Sequence, residues 1–118
     1  MTSILIVDDE KDLLELLGKG FEQAGFRVLM ASETQQALAE LDSQRPEVVL
    51  TDVKMPGGGG LEIARTLKDS TDYRPKLFFM TGYNDLSDED AKNLNALALF
   101  SKPTPILEMV SRIKSALA

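Results

Sequence analysis

A chain of 118 residues, 43% apolar and 27% charged, is long enough for one packed core and too short for a second. It has no cysteine and no histidine, which excludes disulfides, thiolate metal sites and any imidazole acting as base, zinc ligand or phosphoryl relay. A net charge of -6 argues against a nucleic-acid-binding face, which would be basic, and no apolar run approaches the roughly 18 residues that span a bilayer.

Met1-Thr2-Ser3 lacks the basic region of a signal peptide, so a cytoplasmic location is expected. Ile4-Leu5-Ile6-Val7 is a strand-sized apolar run that stops at Asp8-Asp9. Residues 10–24 turn helical, with Leu14, Leu17, Phe21 and Ala24 on one face and Gly25 where a left-handed cap belongs. Gly18 and Gly20 lie inside that helix, each costing about 1 kcal/mol against alanine, with no local reason for either. Phe26 to Ala31 reads as a second strand, and Ser32 with Gln35 as a capping box for a helix over 33–43.

Val48 to Thr51 forms a third strand ending at Asp52, and a loop containing Gly57 to Gly60 leads to a helix over 61–69. Lys76 to Met80 is a fourth strand ending at Thr81. Ser87 caps a short acidic-start helix, and Leu97 to Ser101 is a fifth strand ending at Lys102. The last helix starts near Thr104 or Pro105, Pro105 suiting a first-turn position, with Ile106, Val110, Ile113 and Leu117 as its buried stripe.

Five strand-then-helix repeats imply a parallel sheet with right-handed crossovers and helices on both faces. Strands apolar throughout, rather than alternating, suit a sheet covered on both sides. The expected architecture is one doubly wound α/β domain over residues 1–118. Asp8, Asp9, Asp52, Thr81 and Lys102 all fall at C-terminal strand ends, the edge where ligands of open α/β sheets bind.

Taken singly, each of these residues has an ordinary alternative: a helix-start acid, an Asx-turn, a solvated loop lysine. Together they make a chemistry. Three neighbouring carboxylates repel one another unless they bind protons or share a cation. With no sulfur or imidazole in reach that cation is hard, and Mg²⁺ fits best. An aspartate can attack phosphorus, and phosphoryl transfer needs mainly positioning and charge neutralisation, which Mg²⁺, an ammonium and a hydroxyl supply.

The segments Ile4 to Glu10, Leu50 to Pro56, Phe79 to Gly82 and Ser101-Lys102-Pro103 resemble, in this order, the receiver domains of bacterial two-component systems. The resemblance covers essentially the whole chain. It implies a flavodoxin-like sheet of strand order 2-1-3-4-5 with five helices, and a signalling domain rather than an enzyme acting on a separate substrate. It implies Asp52 as phosphoacceptor, Asp9 and Asp52 as direct Mg²⁺ ligands, Asp8 acting through water, and the Lys54 backbone carbonyl as a further ligand. Thr81 would donate its hydroxyl to the phosphoryl group, Lys102 would pair with it, and Lys102-Pro103 would be cis. Lys54 and Tyr83 would tune access of water, the Tyr83 ring shielding the acyl phosphate. The phosphodonor would be a sensor histidine kinase or a histidine phosphotransfer protein. The signal would leave through the surface of the fourth helix, fifth strand and fifth helix to a downstream protein or effector domain.

Two positions depart from the family pattern. The aromatic residue usually found three places before the lysine is Leu99 here, and Phe100 beside it should face the other way. Four glycines replace a loop that usually carries one, and a mobile loop is expected beside Asp52. Two rivals stay open. A pseudo-receiver would signal without phosphate, and Leu99 favours it. An aspartate-nucleophile phosphohydrolase is disfavoured by adjacent Asp8-Asp9 and by the lack of room for a cap. With no DNA-binding segment, the chain is either a stand-alone regulator or a domain of something longer.

Overall fold

The computed structural model describes residues 1–82 and 86–118. Strands β1 (Ser3–Val7), β2 (Arg27–Ala31), β3 (Val48–Asp52), β4 (Lys76–Thr81) and β5 (Ala96–Ser101) alternate with helices α1 (Lys11–Gln23), α2 (Thr34–Gln44), α3 (Gly59–Asp69), α4 (Asp88–Asn93) and α5 (Ile106–Leu117). All strand pairs are parallel, in the order β2-β1-β3-β4-β5. The doubly wound parallel sheet expected from the alternating pattern, and the strand order implied by the resemblance, are both observed.

Strand alternation divides the core into two layers. Ile4 and Ile6 of β1 pack with Leu14, Leu17 and Phe21 of α1 and Met109, Val110 and Ile113 of α5. Leu5 and Val7 point the other way, against Ala37 and Leu41 of α2 and Ile63, Ala64 and Leu67 of α3. β1 and β3 are buried along their whole length, as a sheet covered on both faces requires. The edge strands depart from the expected uniform burial: β2 exposes Arg27 and Met30, and β5 exposes Leu97. An edge strand is flanked on one side only, so its outer residues meet water.

β5 also carries a register shift. Leu77 pairs with Ala96 but Phe78 with Ala98, so Leu97 is an extra residue in the ladder. Ala96 consequently belongs to the α2–α3 layer while Ala98 packs against the α1–α5 layer.

Two of the predicted punctuation marks are found, one is displaced and one is absent. Gly25 has φ +96, and Ser87 and Asp90 form a reciprocal capping box at α4. Pro105 is not in the first turn of α5 but is its N-cap, with an extended ψ of 137°, and the helix begins one residue later at Ile106. The Ser32–Gln35 box does not form, because α2 starts later, at Thr34, and the Ser32 N–H donates instead to Gln36 Oε1 at 3.1 Å.

The two α1 glycines have tertiary reasons that local sequence cannot hold. A Cβ on Gly18 would sit 2.8 Å from Met30 Sδ, and one on Gly20 would sit 2.5 Å from Ile106 Cγ2. Both positions let α1 approach its neighbours closely. Met30 is long and 45% exposed, so it can swing away; Ile106 is β-branched and stiff. Gly18→Ala should therefore be neutral or stabilising by up to about 1 kcal/mol from helix propensity. Gly20→Ala should be destabilising despite the same propensity gain, since overpacking costs about 1–3 kcal/mol. Urea denaturation of the two variants tests this, and equal stabilisation by both would refute the α1–α5 contact as the cause.

Candidate functional site

At the C-terminal edge of the sheet, two carboxylates and one ammonium share a single arrangement. Asp8 follows β1 and Asp52 ends β3, and both side chains are buried, with Asp8 wholly so. Each turns one oxygen back onto its own chain: Asp8 Oδ1 accepts from the Glu10 N–H at 2.8 Å, and Asp52 Oδ1 from the Lys54 N–H at 3.3 Å. Each turns the other oxygen to Lys102, whose Nζ lies 2.8 Å from Asp8 Oδ2 and 2.9 Å from Asp52 Oδ2. The Asx-turn alternative and the cluster reading are thus both true, of different oxygens of the same residue.

Lys102 reaches this point because its backbone is anchored. Its N–H donates to the Thr81 carbonyl at 2.7 Å, tying the ends of β4 and β5, and the following Lys102-Pro103 peptide is cis. Glu10, mostly exposed, adds a third carboxylate 3.6 Å from the same ammonium. In the sequence Glu10 is marked only as the last residue of the Ile4 to Glu10 segment. Its role at the rim was readable from its place two residues after Asp8.

Burial raises the Asp52 pKa above its ordinary value; Lys102 opposes that shift and Asp8 adds to it. Burial also works against the charge of Lys102, but its contacts with Asp8 and Asp52 outweigh it, so its pKa lies above the ordinary lysine value. The pocket therefore holds more acid than one ammonium can neutralise.

A cation fits that excess. One oxygen each from Asp8, Asp9 and Asp52 lie within 4.8 Å of one another, with Asp9 exposed to solvent. Asp8 Oδ2 is fully buried and faces the Lys102 ammonium at 2.8 Å. A donor set made only of carboxylate oxygens suits a hard divalent ion.

Thr81, at the end of β4, lies one residue beyond Met80, the register partner of Asp52. It is 2% exposed, and its hydroxyl donates to the Gly82 carbonyl at 3.2 Å. Lys54 is exposed and contributes the backbone N–H to Asp52. Tyr83, the expected shield, lies outside the described residues. Leu99 packs against the α2–α3 layer, whereas Phe100 is buried in the α1–α5 layer. The Phe100 ring stacks on Phe78 at 6.2 Å between centroids, and the Arg112 guanidinium sits 4.8 Å over it. The two residues do face opposite ways, so the aromatic ring lies across the sheet from the usual position.

The glycine-rich loop is held at several points. Pro56–Gly58 form a single 3-10 turn, and Gly57, Gly58 and Gly59 all have positive φ. Gly58 N–H donates to the Met55 carbonyl at 3.2 Å and Gly60 N–H to the Val53 carbonyl at 3.1 Å. A Cβ on Gly59 would meet the Val53 carbonyl oxygen at 2.5 Å, so close packing as well as conformation requires glycine there. The loop is also fastened from outside by Thr34, a residue that no sequence signal marked, because its partners lie 22 and 25 positions away.

A family model of the response regulator receiver domain matches residues 4–114. The chain is 37% identical to the sporulation initiation phosphotransferase F of Bacillus subtilis, covering 94% of this chain and 90% of that protein. It is 35% identical to the phosphate regulon transcriptional regulatory protein PhoB of Pseudomonas aeruginosa, covering 98% of this chain but only 51% of the relative. This chain thus spans about half the length of that transcriptional regulator. Among solved structures, a response regulator receiver domain protein from Clostridium thermocellum superposes with a TM-score of 0.90 at 29% identity, covering 99% of this chain and 94% of that one.

An unbalanced acidic pocket is a cost to the metal-free fold, and removing one charge should relieve it. Asp52→Asn should stabilise the metal-free protein at neutral pH by on the order of 1 kcal/mol, or about 4 °C in a domain this size. The sign follows from the raised Asp52 pKa: protonation favours the fold, so this contribution is present at low pH and is lost as pH rises through the folded-state value. Thermal melts in chelator across pH check both. A lower melting temperature for the variant at neutral pH would contradict them.

Proposed function

Because the chain belongs to the response regulator receiver domain family, a family of signalling domains, we propose that Asp52 is the residue that accepts the phosphoryl group. The observation that carries this reading is the pairing of Lys102 Nζ with Asp52 Oδ2 at 2.9 Å, beside the Asp8 and Asp9 carboxylates. A carboxylate oxygen of Asp52 attacks phosphorus of a phosphoimidazole on the donor protein. The P–N bond breaks, its electron pair stays on the imidazole nitrogen, and an aspartyl phosphate remains. The donor's histidine is supplied from outside, since this chain has none; a sensor histidine kinase or a histidine phosphotransfer protein meets that need.

Each residue of the pocket then has a defined task. Asp8, Asp9, Asp52 and the Lys54 carbonyl would hold Mg²⁺, which when bound neutralises charge on the phosphoryl oxygens. Lys102 exchanges its contact with Asp52 for one with a phosphoryl oxygen, keeping an ion pair throughout. Thr81 gives up its hydrogen bond to the Gly82 carbonyl and donates to another phosphoryl oxygen. Return to the resting state is hydrolysis of the P–O bond by water, giving inorganic phosphate and the free carboxylate. The domain in this reading promotes only its own phosphorylation and dephosphorylation.

Thr81 and Lys102 are joined through the Lys102 N–H and the Thr81 carbonyl, so movement at the phosphoryl group bears on β4 and β5 together. The downstream partner, a separate protein or an effector domain, would read the α4–β5–α5 surface. Among the described residues no helix is long and apolar enough to cross a membrane. A cytoplasmic site of action is part of the proposal.

Incubation with acetyl phosphate and Mg²⁺, followed by intact mass, tests the reading. The wild type should gain one phosphoryl group, Asp52→Asn none, and Lys102→Ala should retain Mg²⁺ binding while losing most of the uptake. Uptake by Asp52→Asn equal to wild type would remove Asp52 from the role. No uptake by the wild type would leave a phosphate-independent binding module.

A further inference from the structure

Thr34 is the first residue of α2, 1% exposed, and its hydroxyl is used twice. It donates to the Pro56 carbonyl at 2.8 Å and accepts from the Gly59 N–H at 3.0 Å. A buried hydroxyl satisfied as both donor and acceptor is held in one orientation, and it holds its partners equally. Those partners bracket the turn in which Gly57 and Gly58 take positive φ, a conformation that glycine adopts without a Cβ penalty. Gly57 also packs on Thr34: a Cβ there would lie 3.2 Å from Thr34 Cβ.

The clamped turn continues directly into the site. Gly60 N–H closes onto the Val53 carbonyl, and Lys54 N–H donates to Asp52 Oδ1. We infer that Thr34 is a positioning residue for the acidic pocket, fixing the 53–59 turn so that Asp52 Oδ1 and the backbone at Lys54 are ordered before a divalent cation arrives. Four glycines would otherwise have to be ordered on binding, at the expense of affinity. The inference rests on the Mg²⁺ role proposed above. Thr34 itself touches no ligand and acts through Pro56 and Gly59.

Calorimetric titration of Mg²⁺ into the intact protein tests it. Thr34→Val keeps the shape and removes both hydrogen bonds; it should weaken Mg²⁺ binding about tenfold, as loss of an outer partner of a metal site does, and Thr34→Ser should stay within about twofold of wild type. A merely structural threonine would lower urea stability in Thr34→Val and leave the Mg²⁺ affinity alone, and that result would overturn the inference. So would a serine variant as weak as the valine one. Asp52→Asn is the control, and it should lose at least as much affinity as Thr34→Val. If Asp52→Asn binds like wild type, the proposed metal pocket itself is wrong; if only Thr34→Val does, this inference alone falls. Should Thr34→Val fail to fold, hydrogen exchange at the Gly59 amide of the wild type decides. Protection like that of the core strands supports the clamp, and exchange at the rate of an unstructured peptide refutes it.

Discussion

The Lys102 ammonium is the constraint around which the rest is arranged. Two buried carboxylates face it at 2.8 and 2.9 Å, and without it they would confront each other in a region almost without solvent. A buried charge pair is weak evidence for stability, because desolvation offsets much of the attraction. Among the described residues the balance is incomplete: one inner cation, two inner carboxylates, and Asp9 and Glu10 at the rim. Such a pocket is a poor way to stabilise a fold, and its excess of carboxylate oxygen suits a hard divalent ion.

Parallel topology makes the pocket possible. Residues as far apart as Asp8 and Lys102 meet because every strand of the sheet delivers its C-terminal end to the same edge. The backbone then repeats one device at two strands, an i+2 N–H that fixes one carboxylate oxygen and leaves the other free to face the lysine. Rigid placement of a carboxylate oxygen, rather than an unusual residue, is what the scaffold contributes.

Much of this was legible in the sequence, and what was not has a common cause. Ile4 to Val7 followed by Asp8, or Leu50 and Thr51 followed by Asp52, announce strand and site within a few residues, so local reading suffices. Gly25 and Ser87 are equally local and equally well read. Gly18, Gly20 and Thr34 are not: the first two answer to Met30 and Ile106, the third to Pro56 and Gly59, all in other elements. The Ser32–Gln35 box does not form because helix starts compete over one or two residues, and α2 begins at Thr34, whose hydroxyl is buried against the glycine loop. The loop's four glycines suggest looseness from composition alone, whereas the Thr34 hydrogen bonds that bear on it come from another element and leave no mark in the loop's own sequence.

The extra residue at Leu97 has a consequence for the whole edge of the molecule. It reverses inside and outside within β5, so that Ala96, paired with Leu77, follows one phase while Ala98, Leu99 and Phe100 follow the other. Beyond that shift the pairing is regular from Phe78 with Ala98 to Thr81 with Ser101, so the strand end that carries Lys102 stays in step with β4.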